Sequence, residues 1–81
     1  MKRFAPVLVT WTDANGSAEW TELRDIRHAP NVITEVGLFV RQDEAGLTTV
    51  KAIDKVTGHV HGQSFIPSPN IVSIVKLEEK Q

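Results

Sequence analysis

The chain has 81 residues, of which 41% are hydrophobic and 23% are charged. This length allows one small domain, and the composition is that of folded globular proteins rather than of disordered or membrane-spanning chains. Nine Lys and Arg residues against ten Asp and Glu residues give a net charge of -1, which excludes a protein whose main task is to neutralise a long nucleic acid. The chain has no cysteine, so disulfides, thiolate zinc sites and cysteine nucleophiles are excluded as well.

The first half of the chain predicts a strand, a loop and a short helical segment. Residues 6–12 alternate as a half-buried strand does, with Val7, Val9 and Trp11 on one face. A group of turn-forming residues then ends this strand. Within residues 19–28, apolar side chains recur every three positions, which favours a helix of two to three turns, although an irregular loop fits the pattern nearly as well.

Four further strands are predicted in the rest of the chain. Residues 32–42 form the longest β-branched stretch, and Gly37 in its middle indicates a bulge or a sharp bend. The other three predicted strands cover residues 47–53, 59–66 and 71–77. Five strands joined by short turns indicate an all-β fold, a small five-stranded barrel or roll with one short helix or helical turn after the first strand.

A domain of this size leaves much of its apolar surface uncovered. A chain this short buries only about 60% of the surface that its unfolded state exposes, and neither a disulfide nor a metal adds stability here. We therefore expect a homo-oligomer, with strand edges or apolar strand faces at the interface.

A candidate ligand site combines aromatic and cationic side chains. In a helix at this point of the chain, Trp20, Arg24 and Arg27 lie on one stripe, with His28 just beyond. An indole stacks on a nucleobase, and a guanidinium group makes bidentate contacts with phosphate. These residues, together with Trp11, are the candidate contacts for a small anionic ligand that carries a ring.

A plainer interpretation assigns the same residues to the core and the solvated surface. A buried tryptophan contributes strongly to a small core, so either tryptophan can be a core residue. The two arginines can be solvated and paired loosely with nearby carboxylates, those of Glu22, Asp25 or Glu35. Both interpretations stay open at this point.

Metal binding and catalysis have little support in the sequence. His59 and His61 lie on the same side of a predicted strand, which is a weak start for a metal site, and only Asp54 and Gln63 are near enough to add ligands. The chain also lacks a glycine-rich phosphate loop and a nucleophile elbow. We therefore expect a protein that is not an enzyme and that holds neither a metal nor a cofactor.

Several short motifs occur in an order that resembles a family of small phage and prophage proteins. That family carries a V-x-W-x-D start, a later tryptophan, a V-G-x-x-V strand and an I-P-x-x-x-I-x-x-I-x-x-L ending. The matching positions in this chain are Val9, Trp11, Asp13, Trp20, Val36, Gly37, Val40, Ile66, Pro67, Ile71, Ile74 and Leu77. The second half also resembles the Sm-like small barrels, which often assemble into rings or smaller oligomers.

The resemblance implies a function, because several small oligomeric phage proteins sequester nucleotide immune signals. On this basis we expect a non-enzymatic anti-defence protein in the cytoplasm of the infected host cell. Trp20 or Trp11 would stack on the base of a small anionic nucleotide, and Arg24, Arg27 and His28 would contact its phosphate. Two alternatives stay open: a protein-interaction module that blocks a host protein, and an Sm-like binder of short single-stranded nucleic acid.

Overall fold

The computed structural model describes residues 1–13, 20–25 and 30–78. These residues form strands and two short 3-10 turns without an α-helix, so the prediction of an all-β fold is confirmed. The strands are β1 Pro6–Asp13, β2 Asn31–Gln42, β3 Gly46–Val50, β4 Ala52–Ile53, β5 Val60–His61, β6 Ser64–Pro67 and β7 Ile71–Lys76. The two 3-10 turns are η1, Leu23–Asp25, and η2, Ser68–Asn70.

The segment predicted as a short helix is only partly described. Residues 20–25 contain a single 3-10 turn, η1, and the positions from 26 to 28 lie outside the described residues. The helical-turn form of the prediction therefore fits the described part of this segment.

Five strands form one antiparallel sheet in the order β6-β3-β2-β1-β7. The two edge strands, β6 and β7, follow one another in the chain and are joined by η2 alone. A flat sheet would separate these edges by about 19 Å. A 3-10 turn of this length spans only about 8 Å, so the sheet has to curl.

The curled sheet is open between its edge strands, so of the predicted barrel or roll the closed barrel is wrong. β6 pairs with β3, β7 pairs with β1, and the two edges do not pair with each other. Hydrogen bonds from η2 explain this separation. The Ser68 N–H donates to the Ala45 carbonyl at 3.1 Å, and the Asn70 side-chain amide donates to the Thr12 carbonyl at 2.7 Å, so each end of η2 is held by a different neighbour.

The inner face of the curl holds a small hydrophobic core. Alternation along β1 points Val7 and Val9 inward, as the sequence predicts, and both are fully buried. The other members of this cluster are Phe39, Leu47 and Ile66, with Trp11, Ile71 and Ile74 packed against it. Residues from β1, β2, β3, β6 and β7 therefore meet on one side of a single sheet.

Gly37 has a role other than the predicted bulge. The register shift between β2 and β3 lies between Phe39 and Arg41, so the bulge falls at Val40. Gly37 is buried instead beside Thr49, and a Cβ atom at position 37 would lie 2.9 Å from the Thr49 Cβ atom. Glycine thus allows β2 and β3 to approach closely at the curl.

Two predicted strands are each divided in the structure. Residues 47–53 become β3 and β4, and residues 59–66 become β5 and β6, with β4 and β5 forming a separate two-stranded sheet. Gly62 explains the interruption between β5 and β6, because its φ of 73° is left-handed and does not fit a regular strand ladder. The β4–β5 hairpin therefore extends beyond the main sheet.

Gly46 and Gly58 provide a matched test of how closely β3 packs on β6. A Cβ atom at position 46 would overlap the Ile66 carbonyl oxygen, whereas one at position 58 meets nothing within 4 Å. We expect Gly46→Ala to lower the free energy of unfolding by about 3 kcal/mol or more. Gly58→Ala should cost only about 1 kcal/mol, because of its positive φ. Urea unfolding measures both variants, and equal losses would contradict the close contact between β3 and β6.

Two aspartates anchor turns through their carboxylates. Asp43 accepts hydrogen bonds from the Ala45 and Gly46 amides at 2.9 and 3.3 Å and pairs with Arg41 at 2.9 Å. Asp54 accepts from the Val56 and Thr57 amides at 2.9 and 3.3 Å. The backbone donors, those of Ala45 and Val56 foremost, hold the pKa of each aspartate below its ordinary value of 3.8.

The lowered pKa values predict a loss of stability in acid. Each carboxylate contributes stability that is fully present above its unfolded-state pKa and is lost as the pH falls through its folded-state pKa. We expect the melting temperature to decline from about pH 5 downwards. The double variant Asp43→Asn, Asp54→Asn should start from a lower melting temperature and decline less over the same range. Melting curves that run parallel for the two proteins would contradict this role of the aspartates.

Candidate functional site

The loop between β1 and β2 exposes two large apolar side chains. Trp20 is 105% exposed relative to its reference state, and Leu23, at the start of η1, is 84% exposed. The turn itself is held by a hydrogen bond from the Asp25 amide to the Glu22 carbonyl at 2.9 Å. We call residues 20–25 the recognition segment. It presents an indole and an isobutyl group to solvent from a short polar turn.

Arg24 is engaged by a carboxylate within the same segment. Its Nε lies 2.8 Å from Oε2 of Glu22, and both side chains are largely exposed. This is one of the loose pairings that the plainer interpretation of the sequence allows. With Glu22 and Asp25 beside a single arginine, the segment carries a net negative charge. The other two predicted phosphate contacts, Arg27 and His28, lie outside the described residues.

Trp11 has different surroundings from Trp20. It lies on the inner face of β1, half-buried and packed against the hydrophobic core, and its indole Nε1 is buried with no hydrogen-bond partner among the described atoms. Of the candidate ligand contacts, Trp20 and Arg24 therefore share one exposed segment, whereas Trp11 belongs to the wall of the core.

Glu35, named above only as a possible partner of the arginines, is an inward-facing carboxylate. Glu35 lies on β2, opposite Val9 of β1. The neighbouring inward position on β2 is Ile33, which is opposite Trp11. The Glu35 Oε1 is buried and has no hydrogen-bond partner among the described residues, as is true of the Trp11 indole nitrogen diagonally across the strands. The alternation Ile33, Glu35, Gly37 contains this signal, because it places Glu35 on the same face as two buried or half-buried positions.

The two histidines lie on the hairpin that extends from the main sheet. His61 belongs to β5 and His59 immediately precedes this strand, and both are exposed. The backbone of His59 closes the hairpin turn by accepting a hydrogen bond from the Asp54 amide at 2.8 Å. Across the described residues, His, Asp and Glu side chains form no group of three that could hold a metal ion.

The outer face of the sheet is uncharged where β2, β1 and β7 lie side by side. The register sets an apolar row across the three strands, Val36, Leu8 and Val75, next to a hydroxyl row, Thr34, Thr10 and Ser73. The solvent-facing side of an antiparallel sheet normally carries polar and charged residues. This surface, which we call the outer face, is therefore a second candidate for contact with a partner.

The chain was compared with protein-family models, with curated proteins and with solved structures, and none of them matches. Within the described ranges, no helix has the length and apolar character that crossing a bilayer requires.

Substitution of each tryptophan tests the different environments directly. Trp20→Ala should change the free energy of unfolding by no more than about 0.5 kcal/mol, because the side chain makes no contribution to the core. Trp11→Ala should cost about 2 kcal/mol or more, through lost core contacts. Chemical unfolding followed by circular dichroism measures both. A loss at Trp20 as large as the loss at Trp11 would show that Trp20 is a core residue.

Proposed function

We propose that this protein is a non-catalytic protein-interaction module that blocks a host protein, with Trp20 and Leu23 as its anchors. The observation that supports the proposal is the full exposure of an indole at 105% and a leucine at 84% in one six-residue segment. Tryptophan is among the residues that contribute most to binding free energy at protein interfaces. The free energy of the system falls when a partner covers these two side chains, because their apolar surface is then removed from water.

The shape and charge of the recognition segment favour a protein partner over an enclosed small ligand. Small-molecule sites are concave and surround most of their ligand. Here the indole projects from the surface, so a pocket for it has to come from the partner. The guanidinium of Arg24 is already paired with Glu22 at 2.8 Å, and the segment is net negative, which weakens its attraction for phosphate.

Nucleotide sequestration is a second candidate, and one observation favours it. An exposed indole four positions from an arginine can stack on a base while the guanidinium meets phosphate. In this anti-defence function, Arg24 would have to exchange its carboxylate partner Glu22 for the ligand. The ligand contacts would be Trp11, Trp20, Arg24, Arg27 and His28. Binding of short single-stranded nucleic acid is a weaker variant of the same idea.

An Sm-like fold and a phage origin belong to this proposal as well. The antiparallel order β6-β3-β2-β1-β7, with a 3-10 turn before the last strand, supports a relationship with small barrels in which the two edge strands lie close together. A phage protein of this kind would act in the cytoplasm of the infected cell, and self-association would present more than one recognition segment to its target.

Site-specific photo-crosslinking tests the proposed anchors in cells. A benzoylphenylalanine at position 23 should capture a discrete host protein, and capture should fall about thirtyfold or more when Trp20→Ala is added, the effect of losing about 2 kcal/mol. Val56 is a matched control, because it is 95% exposed on the β4–β5 hairpin, far in sequence from the recognition segment. The same crosslinker at position 56 should not capture that protein.

A nucleotide titration separates the two candidates. Fluorescence of Trp20 is measured while mono-, di- and cyclic nucleotides are added to the wild type and to Trp20→Ala. Saturable quenching that is lost in the variant, without a captured protein, would overturn the protein-interaction proposal and support sequestration. Capture that is equally strong with Trp20→Ala would contradict the proposed role of Trp20 as an anchor.

A further inference from the structure

Strand β7 has an open edge whose free backbone groups can be assigned. The Leu77 amide donates to the Pro6 carbonyl at 2.9 Å, just beyond the last ladder pair of β1 and β7. Because hydrogen-bonded positions alternate along an antiparallel pair, Val75 and Ser73 also point their N–H and C=O groups toward β1. Ile74 and Lys76 therefore point theirs toward the open edge.

The middle of this edge lacks the features that usually prevent strand addition, because the bulge of β7 against β1 falls at Val72 and its one charged residue is Lys76, at the end of the strand. Residues 71–75 contain no charge and no proline, and β7 is six residues long. The opposite edge, β6, has four residues and ends at Pro67, which has no N–H to donate. Exposed edge strands in natural proteins are normally short, charged, bulged away or covered. Of the two edges, β7 is the one that remains open to pairing.

We propose that β7 pairs antiparallel with β7 of a second copy, around a two-fold axis at Ile74, to form a continuous ten-stranded sheet. This inference goes beyond the proposed function and does not depend on it. In this register Ile74 is opposite Ile74 of the second copy, and Lys76 is opposite Val72. The free N–H and C=O groups of Ile74 in the two copies then face each other, and those of Lys76 face the bulge residue Val72 of the second copy.

Packing and charge favour a second copy as the occupant. Ile74 packs against the hydrophobic core but is only half-buried, and an inward-facing isoleucine on the added strand would cover its open side. The one charged residue of β7, Lys76, would be about 13 Å along the strands from its symmetry mate. That separation exceeds the Debye length of about 8 Å, so the two charges repel each other only weakly.

A matched pair of variants at Lys76 tests the edge, with the purified full chain as the sample. Lys76→Pro removes an N–H that the fold itself does not use, whereas Lys76→Ala removes the side chain and keeps the N–H. Light scattering coupled to size exclusion should give the mass of two chains for the wild type and for Lys76→Ala. Lys76→Pro should raise the dimer dissociation constant at least about tenfold.

Other outcomes overturn the proposal in distinct ways. A monomeric wild type, or loss of the dimer with Lys76→Ala, would rule out edge pairing through the backbone. A larger assembly, as from head-to-tail pairing of β7 with β6, would rule out the two-fold arrangement. Loss of the dimer with Val36→Lys but not with Lys76→Pro would assign the contact to the outer face instead.

Hydrogen exchange keeps the test decisive if Lys76→Pro does not fold. In the wild type, the Ile74 amide should be protected at high protein concentration and should exchange rapidly on dilution, while the Val75 amide, bonded to β1, stays protected. Exchange of Ile74 that is independent of concentration would overturn the proposal. These experiments involve no ligand, so their failure would leave the role of Trp20 untouched.

Discussion

The short connection between β6 and β7 is the constraint on which the rest of the fold depends. These strands occupy opposite edges of the sheet, and the three residues of η2 join them. The turn is fixed at both ends, by Ser68 to Ala45 and by Asn70 to Thr12. A sheet with this connection cannot stay flat, and its inner face closes over a core that includes Ile66 from one edge and Val9 from β1.

A core built in this way is small, and this determines what remains for binding. The fully buried side chains come from the inner face of the sheet, and the loop between β1 and β2 adds none among its described residues. Trp20 and Leu23 therefore add nothing to the core that the described residues form. The open edge of β7 and the uncharged outer face are further surfaces that the single chain leaves uncovered. The three surfaces have different chemistry: an apolar anchor, a free backbone ladder and a neutral sheet face.

Much of this fold could be predicted from alternation along the strands. The inward positions of Val7, Val9 and Trp11 follow from a period of two, and β1, β2 and β7 begin and end within one residue of the predicted bounds. The break at Gly62 was not predictable, because a glycine in a strand-like stretch does not reveal its φ. The open seam depends on hydrogen bonds between residues 58 positions apart, which local patterns do not contain.

The candidate site was harder to predict for a related reason. The period of three at Trp20 and Leu23 is typical of the buried face of a helix, yet the described structure offers these side chains no surface to pack on. Exposure is a property of the whole fold. The sequence therefore identifies Trp11 and Trp20 as candidate contacts but does not show which of them is buried. Glu35 is the opposite case, because the alternation along β2 already places this residue on the inner face.

In this fold, η2 curls one sheet so that its edges share a core. Methyl NOE spectroscopy tests it most directly, because Ile66 on β6 and Val9 on β1 lie about 14 Å apart in a flat sheet, three strands from each other. We expect NOE contacts that link the Ile66 methyl groups to Val7 or Val9. Methyl contacts confined to neighbouring strands would contradict the curl and, with it, the division between core and binding surfaces.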